Sequence, residues 1–396
     1  MCTDVLIVSE KNGQKFVVNG RSQEFAFPLG YRVMFRKKGV PVQVTTPTKP
    51  SGPYETEEIL AALTPVELCT SKYDYAGIMI TTADESRTVV STAVFDGLNA
   101  AGLSVGSLNA DGSKYQRKSD AKKTNNVFAG FFVDWLLSNY ATCEEVKAAF
   151  ANDELRVVAK NEGGFDEKEV EDNVHLHYAV HDASGKSLVI EFIDHDAKIT
   201  DNPVGVLTNL PVFSWHLTNL GMYAHLSNLS SEGAVKFGKV AYRPPGSLTA
   251  EPSGIPSEYR STGIPGMGDG LAGIPGDFRP PSRFVRTAYM KKFAVPPVTE
   301  HEAVSQAFHL LNGVDIVKGA SAEKNEEGEI VKYDTAQIVM VKDMINKILY
   351  VRMYESPMPY SVPFSDCPYF AAGSADVAAG VHVGIPTGRL ATPLLA

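Results

Sequence analysis

Cysteine is scarce in this chain. Four of its 396 residues are cysteines, Cys2, Cys69, Cys143 and Cys367. They lie far apart and never form a C-x-x-C pair, which argues against a disulfide framework or a zinc ribbon. Long apolar runs are also missing: no stretch reaches the roughly 18 residues that span a bilayer. The first thirty residues lack the basic and apolar regions of a secretory signal, so a reducing cytoplasm is the expected location. There is no excess of positive charge either. The net charge of −9 argues against a nucleic-acid or anionic-membrane partner, since both want a basic face. "GMGDGLAG" is rich in glycine but does not read G-x-G-x-x-G, and neither a phosphate-binding G-x-x-x-x-G-K-[ST] nor a G-x-S-x-G elbow occurs. His175, His177 and His181 alternate along one strand face without an acidic or cysteine partner at a diagnostic spacing, so neither a metal nor a cofactor is expected.

What is present is enough apolar material for a large core, 44% of the chain, in two alternating periodicities. "TDVLIVSE", "QKFVVNG", "GYRVMFRKK", "VPVQVTT", "YAGIMITTA", "TVVSTAVFDG" and "GLSVGSLNA" are short, rich in Val and Phe, and broken by Gly and Pro, as strands are. "NNVFAGFFVDWLLSNY" then places Phe128, Phe131, Phe132, Trp135, Leu136 and Tyr140 at helical spacing. "TCEEVKAAFAN" follows as a second helix, with Thr142 and Glu145 at capping-box spacing. Strands return in "VHLHYAVHD" and "KSLVIEFID", joined by the turn "ASGK". "SRFVRTAYMKKF" and "TEHEAVSQAFHLLNGV" read as helices, and "AQIVMVKD" with "KILYVRMYE" as a late hairpin. Without strict βαβ alternation, this order predicts layers of antiparallel sheet and helix. Residues 242–281 are crowded with Pro and Gly, a domain linker or a long surface loop by composition. The loop reading is preferred, which leaves residues 1–396 as one domain.

Cys2 stands immediately behind the initiator Met1. A free thiol titrates at about 8.5 and an α-amine at about 7.7–8.0. Removal of Met1, routine before a small residue, would put a nucleophile and its base on one amino acid.

The surrounding motifs resemble those of the choloylglycine hydrolase family, the bile salt hydrolases and penicillin V acylases among the N-terminal nucleophile hydrolases. "MCT" followed by a strand and "NGRSQEF" is similar to the family's Cys-Thr start and Gly-Arg-x-x-Asp. Gly20, Arg21 and Glu24 fall on the latter, with Glu in place of Asp. "FDGLNAAGLSVGSLN" resembles Asp-Gly-x-Asn-x-x-Gly-Leu and ends at Asn109. "GVLTNLPVFSWHLTNL" resembles Leu-Thr-Asn-x-Pro-x-Phe-x-Trp-His and supplies Asn209. "GLAGIPGDFRPPSRFVR" resembles Gly-Leu-x-Gly-Leu-Pro-Gly-Asp-Phe-x-x-x-Ser-Arg-Phe and supplies Arg283.

The resemblance implies an α+β fold, a four-layer αββα sandwich of two antiparallel sheets between helices, with a loop insertion at about 242–270 and assembly as a homotetramer. It also implies hydrolysis of a small-molecule N-acyl amide without cofactor or metal. In that chemistry Arg21 would favour the thiolate and Glu24 would orient the amine. Asn209 and Asn109 would meet the oxyanion, and Arg283 would stabilise negative charge or bind substrate. Conjugated bile salts, penicillin V and N-acyl homoserine lactones all remain open as substrates, and a non-catalytic ligand-binding member of the fold is the alternative. The aromatic residues Phe25, Phe27, Tyr73 and Tyr75 are expected to line an apolar acyl pocket.

Overall fold

Asn12 and Gly13 both adopt positive φ, 53° and 78°, and so form the two-residue turn that suits the twist of a β-hairpin. The turn joins β1 (Cys2–Lys11) to β2 (Gln14–Phe25) and fixes a register in which Cys2 faces Gln23 and Asp4 faces Arg21. Side chains alternate across a strand, so Cys2, Asp4, Leu6, Asn19, Arg21 and Gln23 share one face. A slip of one residue would send Arg21 to the other side of the sheet.

The structure, a computed structural model, describes residues 1–26, 28–47, 63–81, 92–159, 174–229, 235–237, 240–242, 270–325, 327–365 and 381–384. Twelve further strands complete two large sheets: β3 (Gly30–Arg36), β4 (Tyr75–Thr81), β5 (Asp96–Asn99), β6 (Ser104–Asn109), β7 (Leu176–His181), β8 (Ser187–Ile193), β9 (Asp196–Asp201), β10 (Val206–Leu207), β11 (Thr335–Asp343), β12 (Ile348–Met353), β13 (Ser356–Pro363) and β14 (Val381–Gly384). The first sheet has the order β10-β1-β2-β11-β12-β13 and the second β9-β8-β7-β6-β5-β4-β3-β14. Neighbours in both run antiparallel.

Three apolar layers hold these sheets and their helices together. Leu6, Val17, Ile338 and Met340 of the first sheet meet Tyr31, Val33, Ile78 and Leu98 of the second. On the outer face of the first sheet, Val5, Ile7, Phe16 and Val341 pack under α4 (Pro280–Phe293) and α5 (Glu300–Asn312) through Phe284, Val304, Ala307 and Leu311. On the outer face of the second, Tyr75, Met79, Tyr178 and Ile190 pack under α1 (Phe132–Asn139) and α2 (Cys143–Ala151). Each fully buried Phe, Leu, Ile or Val contributes about 1.5–3 kcal/mol relative to exposure. The layering is αββα, as the family resemblance implies.

Two expectations from the sequence are corrected. The helix read over 125–140 begins only at Phe132. Asn125–Phe128 is a strand, paired in parallel with Leu155–Val158. Tyr75 does not reach toward Cys2. It lies on the helix-covered face of its sheet and donates to Asp134 Oδ1 at 2.7 Å. Phe27, Cys367 and nearly all of the Pro/Gly-rich segment 242–270 lie outside the described residues. The cap of α2 is as expected, with Thr142 accepting from the Glu145 amide at 3.2 Å, and α5 is capped alike by Thr299, which accepts from the Glu302 amide at 3.1 Å.

Candidate active site

The face that β1 and β2 turn toward the second sheet carries charge instead of hydrocarbon. Arg21 Nη2 donates to Cys2 Sγ at 3.2 Å and also to the Ser107 carbonyl of β6. Its Nη1 lies 3.5 Å from Asp96 Oδ2 on β5, and its Cζ stands 5.0 Å from the centre of the Phe95 ring. Asp96 in turn accepts from Lys342 Nζ, which β11 projects onto the same face of the first sheet. A Cβ on Gly106 would stand 2.6 Å from Asp96 Oδ2 and 3.2 Å from Arg21 Cδ, so glycine there lets the carboxylate and guanidinium meet. Burial disfavours the Arg21 cation, but the Cys2 sulfur and the Asp96 carboxylate outweigh it and hold the guanidinium above its ordinary value. The sulfur therefore rests against a cation that cannot be discharged.

The backbone of Cys2 is gripped from the opposite side. Its N–H donates to Asn209 Oδ1 at 2.8 Å, and its carbonyl accepts from Arg283 Nη1 at 2.5 Å. Arg283 also donates to Thr3 Oγ1 at 2.6 Å and, from Nη2, to Asn209 Oδ1 at 2.7 Å. Its Nε donates to the Phe278 carbonyl at 2.8 Å. Asn209 is thereby shared between Cys2 and α4, and its own Nδ2 donates to the Asn109 carbonyl at 2.8 Å.

The sequence-predicted residues occupy distinct places around this centre. Cys2, Arg21, Asn209 and Arg283 are in direct contact. Glu24 is fully buried with Oε2 3.8 Å from Arg283 Nη1, on the face of β2 opposite Arg21, and no described residue donates a hydrogen bond to either of its carboxylate oxygens. Asn109 meets the site through its backbone carbonyl, while its exposed side chain donates to Asp111 Oδ1 at 2.8 Å. Met1 is attached and continues the ladder: its amine donates to the Glu24 carbonyl at 2.5 Å, and its carbonyl accepts from the Glu24 amide at 2.8 Å. With Met1 attached, the Cys2 nitrogen is an amide.

The other described cysteines differ in their surroundings. Burial, reinforced by Asp182, pushes the Cys143 thiol far up, and burial raises that of Cys69 although Asn139 Nδ2 donates to its sulfur at 3.5 Å. Among the described cysteines, Cys2 is the one bonded to a guanidinium.

Several residues that build the site are not evident from the motifs alone. Lys342 is a lone cation at the end of the inward series Ile338, Met340, Lys342, and that alternation was the available signal. Asp96 lies inside a stretch quoted for its resemblance, and its partners Arg21 and Lys342 come from the facing sheet. His181, from the alternating histidine run, bonds through Nε2 to Asp4 Oδ1 at 2.7 Å, an acidic partner 177 positions away.

Residues 2–364 match the family described as linear amide C-N hydrolases, choloylglycine hydrolase family. A bile salt hydrolase/transferase of Lactiplantibacillus plantarum is 34% identical over 290 residues, covering 73% of this chain and 78% of that protein. A bile salt hydrolase/transferase of Clostridium perfringens is 32% identical over 238 residues, 60% of this chain and 64% of that protein, so the match spans slightly under two thirds of that relative's length. Among solved structures, a variant of conjugated bile acid hydrolase from Clostridium perfringens superposes with a TM-score of 0.70 at 22% identity, covering 100% of both chains. A penicillin V acylase from Agrobacterium tumefaciens gives 0.59 at 18%, covering 93% of this chain and 88% of that one. At these identities the structural likeness is one of fold.

Proposed function

The chain belongs to the choloylglycine hydrolase family of linear amide C–N hydrolases, and on that premise we propose that it cleaves a linear, non-peptide amide with Cys2 as nucleophile once Met1 has been removed. The observation that carries this reading is the 3.2 Å contact from Arg21 Nη2 to Cys2 Sγ, beside a Cys2 nitrogen already held by Asn209.

The chemistry follows from those positions. The Cys2 thiolate attacks the amide carbonyl carbon. A C–S bond forms, and the carbonyl π electrons move onto oxygen. The side-chain donors proposed for that oxyanion are Asn209 Nδ2, bonded at rest to the Asn109 carbonyl, and Asn109 Nδ2, bonded at rest to Asp111. The protonated α-amine gives its proton to the leaving nitrogen as the C–N bond breaks, leaving a thioester. The neutral amine then takes a proton from water. Hydroxide adds to the thioester carbonyl, the C–S bond breaks, and the carboxylic acid departs with the thiolate restored. Arg21 stabilises the thiolate before attack and again as the C–S bond breaks. Arg283 fixes the Cys2 carbonyl and Asn209 against each other.

The relatives' name, bile salt hydrolase/transferase, supports conjugated bile salts as the first substrates to test, ahead of penicillin V and N-acyl homoserine lactones. The reading includes assembly as a homotetramer, supported by the family resemblance, and a cytoplasmic location, supported by the unpaired thiols of Cys69 and Cys143. No helix among the described residues is long and apolar enough to cross a membrane. A turnover assay across the three substrate classes, with Cys2→Ala as control, tests the proposal. Release of the free amine by the wild type alone is expected. Binding without release for every class would favour a non-catalytic member of the fold and overturn it.

A further inference from the structure

Asn209 is the joint of the proposed site, yet it sits at the start of an irregular segment between β10 and α3 (Phe213–Leu220). Its side chain makes three contacts at once, to the Cys2 nitrogen, to Arg283 and to the Asn109 carbonyl. It can keep all three only if its backbone is held.

Two buried histidines, neither with a part in the chemistry above, supply that hold. His216 Nε2 lies 2.8 Å from the Asn209 carbonyl, and His177 Nε2 lies 2.9 Å from the carbonyl of Thr208. A carbonyl only accepts, so each Nε2 is assigned its proton. The two come from different layers. His177 stands on β7 in the second sheet, and His216 on α3.

The His216 ring is braced in turn. It stacks on Phe284, centroids 4.6 Å apart at 17°, and Phe284 is the neighbour of Arg283 on α4. His177 Nδ1 lies 3.7 Å from Glu191 Oε1 of β8, and the same oxygen accepts from the Phe213 amide at 2.9 Å, at the first turn of α3. Thr208 Oγ1 closes the frame by donating to the Pro280 carbonyl at 3.0 Å, where α4 begins. The groups facing His216 are His177, Glu191 and Arg283. Burial lowers its affinity for a proton, the Asn209 carbonyl and Glu191 oppose that, and His177 and Arg283 add to it, with a lowered value as the outcome.

We propose that His177 and His216 are positioning residues that clamp the consecutive carbonyls of Thr208 and Asn209, so that Asn209 Oδ1 stays on the Cys2 nitrogen and Nδ2, at rest on the Asn109 carbonyl, stays within reach of the oxyanion. The inference rests on the amidase reading given above. The clamp acts through Asn209 and not on sulfur, so its loss should weaken the chemical step while the Arg21–Cys2 contact persists.

The test is a double-mutant cycle. His216→Phe keeps the stacking ring and removes the donor. It should lower kcat about 10- to 100-fold, the cost of a misplaced group, with KM within about threefold. The rate at which iodoacetamide alkylates Cys2 should stay at the wild-type level. His216→Gln restores an N–H at comparable reach and should recover most of kcat. In an Asn209→Ala background, His216→Phe should cost less than about threefold more, because residues acting as a unit are not additive. Wild-type kcat in a folded His216→Phe, or its full loss repeated in the Asn209→Ala background, overturns the proposal. Should His216→Phe fail to fold, His216→Gln against the shorter His216→Asn decides, and equal kcat for the two overturns it. Failure of the wild type to turn over any amide removes the underlying reading and this inference with it. An active wild type with an unaffected His216→Phe removes the inference alone.

Discussion

Arg21 and Cys2 are diagonal neighbours across the first hairpin, with guanidinium Nη2 donating to Sγ at 3.2 Å. The register of β1 on β2 makes this possible by putting both side chains on the face turned toward the second sheet. Replacing Arg21 by Leu removes the cation and leaves Asp96 with Lys342 alone. The expected result is slower alkylation of Cys2 at pH 7 and a fall in kcat on the order of 100-fold. Timed iodoacetamide labelling with peptide mass mapping reads the first effect. Labelling of Cys2 at the wild-type rate would show that the contact does not activate sulfur.

Glu24 faces Arg283 at 3.8 Å in a fully buried setting. Glu24→Gln keeps the shape and removes the charge opposite the guanidinium, so it should impair turnover. Glu24→Asp, which supplies the family's residue, should be tolerated. Steady-state kinetics on both variants check this, and equal activity of Glu24→Gln and wild type would show that the carboxylate has no part in the site.

Lys342 and Asp96 are both buried and bonded to each other beneath Arg21. Truncating one partner of such a pair leaves an uncompensated charge, so Lys342→Met should destabilise the fold by about 3 kcal/mol, with Arg21 limiting the loss. Urea unfolding measures it. Adding Asp96→Asn should recover part of the loss, and strict additivity would contradict the pairing.

These buried pairs also mark where the sequence stops being readable. The β1–β2 strands, the histidine-bearing hairpin of β7 and β8, the late hairpin and the caps at Thr142 and Thr299 rest on local periodicity and local hydrogen bonds, and each is visible in the chain. Cys2, Arg21, Asn209 and Arg283 were found through motif resemblance, which carries residue type and order along the chain. The partners of His177, His181 and Lys342 depend on which strand faces which across the sandwich, and no spacing encodes that. The same limit explains the misread start of α1. Asn125–Phe128 continues the apolar helical pattern, but pairing with Leu155–Val158 makes it a strand.

Lys291 offers a pH test of the scaffold beside Asn209. Burial lowers its ammonium to about 8, with Asp4 opposing, while Nζ donates to the Val204 carbonyl at 2.7 Å. Between pH 8 and about 10.4 the unfolded chain binds more protons at this group than the folded one, so its contribution to stability rises with pH in that window. Relative to Lys291→Met, the wild-type urea midpoint should therefore climb between pH 7.5 and 9.5. Parallel curves for the two proteins would contradict a lowered Lys291.

The central claim is that the base is the α-amine of Cys2, an amide nitrogen while Met1 is attached. The direct measurement is turnover against the fraction of chains beginning at Cys2, with that fraction read from intact mass across preparations that differ in methionine removal. The account predicts a straight line through the origin, with none of the activity in chains that retain Met1. Full activity in a preparation whose mass shows Met1 in place would contradict it.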